Sequence, residues 1–167
     1  MSITFREPDL LLADIITQFM GLDASRVVVY DENWSPPKDQ GIYVTIQTDP
    51  STPLGVSQVF DAATGKEESS VSIFQRLTVN ITSRDRSALE RKEEVVLALT
   101  STLSQQVQEA QQMRFFREGP ILDLSFIEAS RALHRYQIPV IATYVKIKST
   151  TVDVIDKFQD VSIQEEA

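Results

Sequence analysis

The chain has no cysteine. That excludes disulfides, a thiolate nucleophile and Cys-ligated zinc, and it fits a reducing compartment. Histidine is nearly absent too: His134, beside Arg135, is the only one. Any Ser-His-Asp triad or histidine-held metal would have to use it. No nucleophile motif lies near it, so it reads as a surface histidine at a strand end. Basic residues are in deficit, 16 against 24 acidic, for a formal net charge of -8. A module that grips DNA or RNA normally carries a basic face. An acidic chain is instead compatible with nucleic acid passing close by without sticking, because like charge repels a phosphate backbone. No stretch approaches the roughly 18 apolar residues of a membrane span. The start, "MSITFREPDLLLADIITQFMG", lacks a basic opening and is interrupted by Asp14 and Thr17, unlike a signal peptide. The expectation is a soluble protein made inside the cell, with no membrane partner.

What is present is enough for one core: 167 residues, 42% of them hydrophobic. Leu11, Leu12, Ile15, Ile16, Phe19 and Met20 recur at helical spacing behind Pro8, and Gly21 is a stop, which predicts a helix over 8–20. "RVVVY" (26–30) and "IYVTIQT" (42–48) read as strands. "DPSTPLG" reads as a break, and "VSQVF" and the residues from Val71 as the arms of a hairpin with a long polar tip over 61–70. From Val71 to Thr82, Val71, Ile73, Leu77, Val79 and Ile81 alternate with polar residues, Phe74 being the exception, which predicts one face buried and the other wet or covered by a partner. Ser87 and Glu90 have capping-box spacing. A single helix is expected from there to about Gln112, with Leu89, Val96, Leu99, Leu103, Val107 and Ala110 as its buried stripe. Two short strands flank Gly119-Pro120, and a long strand contains Pro139, which places it at a sheet edge or a bulge. The class is α+β: a mostly antiparallel sheet packed against two helices, with a long hairpin loop. Residues 1–150 form one domain, and 151–167 form a C-terminal extension, read as an added strand and a frayed end.

Four further patterns invite chemistry. "ATGKEE" contains Gly-Lys, but Phe60 and Glu67 stand where a phosphate loop needs Gly and Ser or Thr, so it reads as a turn. Pro8-Asp9 with Glu90-Arg91-Lys92 loosely matches a nuclease pattern, yet both halves fall in helices rather than on adjoining strand ends. Asp153, Asp156 and Asp160 have helical spacing in a β-branched segment, where Asp153 and Asp156 would point apart. Asn80-Ile81-Thr82 matches a glycosylation site, which has no meaning without secretion. No catalytic residue, cofactor or metal is assigned from these.

"QGIYVTIQTDPSTPLG", then "IFQRLTVNITSRDRSALERKEEVVLAL", then "RFFREGPILDLSFIEASRALHRYQIPVIATYV" follow one another behind an N-terminal helix. In order and texture this resembles the phage neck and tail terminator proteins over roughly residues 7–148. The resemblance implies an α+β virion subunit, made in the host cytoplasm, that forms a hexameric ring on the tail tube. It implies as partners the tube protein, the head connector, the sheath where the tail contracts, and DNA passing through the lumen unbound. Ring contacts are heterologous, so unpaired strand edges and charged corners are the places to look. Arg84, Asp85, Arg86, Arg91, Glu94, Arg114 and Arg117 are the candidate subunit-interface residues. The competing readings are a tail tube or minor tail protein, which would polymerise without limit, a small metal-dependent enzyme or nuclease, and a monomeric binding module.

Overall fold

Three long strands dominate the computed structural model, which describes residues 5–30, 34–128 and 131–152. β2 (Tyr43–Asp61), β3 (Lys66–Ser83) and β7 (Arg131–Thr151) pair antiparallel side by side, β2 and β3 as a hairpin and β7 joining after the later helices. β1 (Val27–Val29) runs parallel to β2 at one edge, and β4 (Met113–Arg117) lies antiparallel to β7 at the other. The sheet order is β1-β2-β3-β7-β4, and β5 (Leu122–Asp123) and β6 (Phe126–Glu128) also pair with β7. Three helices, α1 (Pro8–Met20), α2 (Ser87–Thr100) and α3 (Thr102–Ala110), complete the α+β fold.

The sheet's core face follows from its alternation. Val44 and Ile46 of β2, Leu77, Val79 and Ile81 of β3, and Ile138, Val140 and Ala142 of β7 are buried against Leu11, Leu12, Ile15 and Ile16 of α1 and Ala88, Val95, Ala98 and Leu99 of α2. α1 ends at Gly21, whose positive φ of 62° closes the helix with its N–H on the Thr17 carbonyl. Of the predicted apolar face of α1, only Phe19 is exposed. The opposite sheet face is not uniformly wet. Asn80 and Thr82 are buried beneath Trp34, Phe126 and Arg135, and Arg135 donates to Asn80 Oδ1 at 3.2 Å.

Several expectations are corrected. The single long helix is two. Ser101 is extended (φ -64°, ψ 154°), donates its hydroxyl to the Ala98 carbonyl and accepts the Ser104 N–H as the cap of α3. Three consecutive hydroxyl residues, Thr100 to Thr102, offer the backbone this competing arrangement. The buried stripe shifts accordingly: Ala88, Val95, Ala98 and Leu99 in α2, then Ser104 and Gln108 in α3, while Leu103 is exposed. The Ser87–Glu90 capping box does not form. The first amides of α2 are met by Asp85, which accepts Ser87 N–H at 2.8 Å, and by the buried Ser83 hydroxyl, which accepts Ala88 N–H at 2.9 Å. "DPSTPLG" does not break the chain. β2 runs through it with irregularities at 48–51 and 53–55, which an edge strand tolerates because its prolines owe no donor to an outer neighbour. The long tip over 61–70 is a turn at 62–65 with Gly65 at φ 63°, and strand resumes at Lys66. Asp61 holds this turn by accepting Ala63 N–H and Thr64 O–H.

Pro139 lies neither at an edge nor in a bulge. β7 is interior, and its register with β3 is unbroken through Pro139 opposite Thr78. On the other side β4 ends opposite Val140 and β5 begins opposite Gln137. Pro139 falls in that gap, where its carbonyl accepts Glu118 N–H at 2.9 Å and no partner requires its missing donor. Asp153, Asp156, Asp160 and the rest of 153–167 lie outside the described residues.

Candidate assembly surface

The helices cover only part of the sheet. α1 and α2 pack over β2 residues 44–46 and β3 residues 77–81, and the other half of the long strands projects past them. There β2, β3 and β7 continue as a three-stranded ribbon whose rows are Gly55–Ser72–Val145, Ser57–Ser70–Ile147, Val59–Glu68–Ser149 and Asp61–Lys66–Thr151. Alternate rows, Val56–Val71–Lys146, Gln58–Ser69–Lys148 and Phe60–Glu67–Thr150, point to the helix side. Seven rows make the ribbon ~23 Å long.

Apolar side chains stand in water on both faces of this ribbon. Val56 is 72% exposed and Phe60 46% on the helix side, while Val59 at 63% and Ile147 at 55% are exposed on the other. Leu54 at 64%, in the irregular stretch of β2, extends the patch. A sheet normally hides at least one face. Among the described residues both edges of the ribbon are also open: β1 ends its pairing with β2 at Ile46, and β4 ends its pairing with β7 at Tyr144. Beside the open β7 edge lies a groove of about 510 Å³ lined by Phe5, Ala110, Gln111, Gln112 and residues 145–147.

The candidate interface charges lie elsewhere. Arg84, Asp85 and Arg86 form the corner after β3, at the opposite end of that strand from the turn and up to ~55 Å away. All three are exposed. The backbone N–H groups of Arg84 and Asp85 donate to the Gln40 carbonyl. The Asp85 carboxyl is held below the ordinary aspartate range, first by the Ser87 hydroxyl and then by the Ser87 N–H. Arg91 binds Glu94 through two nitrogens and reaches the Met20 carbonyl at 2.6 Å, tying α2 to the end of α1. Glu94 in turn raises the Arg91 guanidinium's pKa. Arg114 and Arg117 are exposed on β4, the outermost strand on that side, opposite Thr143 and Val140.

Two expectations about these charges can be checked. Asp85→Ala removes the α2 cap and costs about 1 kcal/mol of stability. Because the folded carboxyl titrates below its unfolded value, that contribution is present above the ordinary aspartate range and is lost as pH falls through the lowered folded value. Chemical denaturation across pH then shows the variant converging on the parent at the acid end. Arg91→Ala releases the Met20 carbonyl and the Glu94 pair. It lowers the unfolding free energy by about 1 kcal/mol, read in urea melts.

His134 is half-buried opposite Ser83. Pro8-Asp9 opens α1, where Asp9 accepts the Thr48 hydroxyl, and Glu90-Arg91-Lys92 lies within α2. Among the described residues no group of three or more metal-ligating side chains is placed to hold an ion. Among them, too, no helix is long and apolar enough to cross a membrane.

The family model described as phage neck terminator protein matches residues 10–167, nearly the whole chain. The chain belongs to the phage neck terminator family. No curated protein matches it. Among solved structures, its fold is similar to a chain of the cryo-EM structure of an extracellular contractile injection system, described as the PVC sheath/tube terminator in the extended state. The TM-score is 0.51 at 13% identity, over 99% of this chain and 66% of that one. The fold is thus shared with a chain half as long again. In this neck terminator the ribbon residues Leu54, Val56, Val59, Phe60, Val145 and Ile147 were not singled out from sequence. "VSQVF" carried the strand signal, but its exposure depends on where the helices stop.

Proposed function

We propose that the chain is the ring-forming subunit that ends a phage tail tube and joins it to the head connector, with DNA passing through the ring. The observation that carries this reading is the ribbon: two edges open among the described residues and exposed apolar side chains on both faces, on a chain of the neck terminator family. A monomer has no use for such a surface, whereas a repeating contact buries it. The expected neighbours are the tube protein and the head connector. The similarity to a sheath/tube terminator adds the sheath where the tail contracts. Arg84, Asp85 and Arg86 at the sheet's far end, Arg91 and Glu94 on α2, and Arg114 and Arg117 on the outer strand are then candidates for charged contacts between subunits. The net charge of -8 suits a passage through which a phosphate backbone slides. The reading assigns the chain no catalytic step and no cofactor, and places it in the virion.

Native mass spectrometry with negative-stain imaging of the purified chain tests this. Closed rings of six subunits with an open centre are the expected result. Unlimited filaments would favour a tube protein, and a strict monomer, alone and with tube protein added, would overturn the ring.

A further inference from the structure

The two open edges of the ribbon are matched to each other. Beyond the bulges, β2 offers residues 55–61 and β7 offers residues 145–151, two runs of equal length on opposite sides of the same stretch of β3. Which backbone groups face outward follows from the hydrogen bonds elsewhere on these strands. The carbonyls of Pro139 and Arg135 accept from Glu118 and Leu124, so odd-numbered residues of β7 turn their polar groups away from β3. Val152, even-numbered, donates to Gly65 on the β3 side, in agreement. Val145, Ile147 and Ser149 therefore present N–H and C=O to the open edge. On β2, the Ile46 carbonyl accepts Tyr30 N–H and so faces outward. Carried through the two irregularities by the partners on β3, Val56, Gln58 and Phe60 face outward as well. Each edge thus turns outward, at every second residue, donors and acceptors that pair with no strand among the described residues.

Charge selects which edge meets which. β7 carries Lys148 and Lys146, the latter paired with Glu7 at 3.2 Å, on this stretch, whereas β2 has no basic residue from Tyr43 to Asp61 and carries Asp49 and Asp61. Pairing β7 with a second β7 would bring lysines together across the seam, which is unfavourable. Pairing β7 with β2 brings them toward an uncharged and acidic edge. Pro50 and Pro53 bar strand addition along the earlier part of β2, and the run after Gly55 has no proline. Among the described residues, the groove beside residues 145–147 has room for an incoming strand.

We infer that β2 residues 55–61 of one copy add to β7 residues 145–151 of the next, so that the ribbons of successive copies join into one closed sheet. β2 and β7 run in the same direction within a copy, so a head-to-tail repeat turning about an axis along the ribbon pairs them parallel. This inference rests on the ring reading above and names its seam.

Engineered disulfides test it, since every crosslink in this cysteine-free chain is an introduced one. The four double variants combine Ser57→Cys or Val59→Cys with Ile147→Cys or Ser149→Cys, all on one face of the ribbon. Within a copy β2 and β7 stand ~9.6 Å apart, two strand spacings, beyond the ~7 Å Cα limit for a disulfide. The expected result is a non-reducing ladder up to the ring number for at least one pair, with each single variant uncrosslinked. Rings of unchanged native mass with no crosslink from any pair would overturn the seam and leave the ring reading standing. Dimers from Ile147→Cys or Ser149→Cys alone would overturn it in favour of a two-fold β7 contact. A chain that stays monomeric and uncrosslinked at millimolar concentration, and with tube protein added, would overturn both.

Discussion

Replacing Val59 and Ile147 together with aspartate is expected to dissolve the proposed ring and leave the monomer folded. Both side chains project into water from the same face of the ribbon, at 63% and 55% exposure, so neither contributes to the monomer's core. Surface changes of this kind usually alter stability by about 0.5 kcal/mol or less. In the proposed ring the same positions are expected to lose water. Each valine- or isoleucine-sized group contributes about 1–1.5 kcal/mol on burial, and a carboxylate in its place adds a desolvation cost of similar or larger size. Two positions together cost about 4 kcal/mol or more per contact, a weakening of ~1000-fold. Analytical ultracentrifugation should show rings at micromolar parent protein and monomers for the variant, with coincident thermal melts of the monomeric species. An undiminished ring would mean that this face of the ribbon is not buried in the assembly.

Gln108→Met is expected to have the reverse signature, unfolding the chain before it affects assembly. Gln108 is buried, and all of its amide is used. Its nitrogen donates to the Leu99 carbonyl at 3.1 Å and to the Ser104 hydroxyl at 2.7 Å, and its oxygen accepts Phe115 N–H at 2.8 Å. One side chain thereby joins the end of α2, the start of α3 and the edge strand β4. Methionine fills the volume but leaves the Leu99 carbonyl and Phe115 amide unmet in the interior. Each unmet group costs about 1–3 kcal/mol, so the expected loss is about 2–4 kcal/mol. For a chain of this size that lowers the melting midpoint by roughly 5–15 °C. Amide hydrogen exchange at Phe115 should accelerate in parallel. A midpoint within about 2 °C of the parent would show that the network relaxes onto water and does not brace the helix break.

The contrast between these two sites marks how far the sequence was legible. Val59 lies in a plain strand pattern, and nothing in "VSQVF" separates a strand buried under a helix from one projecting past it. That difference arises because α1 and α2 span only the half of the sheet holding Val44, Ile46, Val79 and Ile81. Gln108 sits in "SQQVQEAQQ", a helix end that reads as polar on most sides. It is buried because Ser101 ends α2 and redirects α3 onto β4. A hydroxyl residue in a helical pattern is an ambiguous signal: Ser101 could have stayed helical, and only the side-chain partners decide. Pro139 shows the same limit. Its missing donor forbids a central ladder in general, but the gap between β4 and β5 removes the demand for that donor.

Local physics therefore settled what depends on neighbours close in the chain. Helix α1 from Pro8 to Gly21, the alternation of Leu77, Val79 and Ile81, the Gly65 turn and the α+β class all follow from spacing, φ preference and burial of one face. The absence of cysteine removed whole classes of chemistry before any fold was known. Tertiary structure decided the length of the ribbon, the two edges left open among the described residues and the exposed apolar faces. Those depend on where separate elements stop relative to one another, a distance that no local pattern encodes.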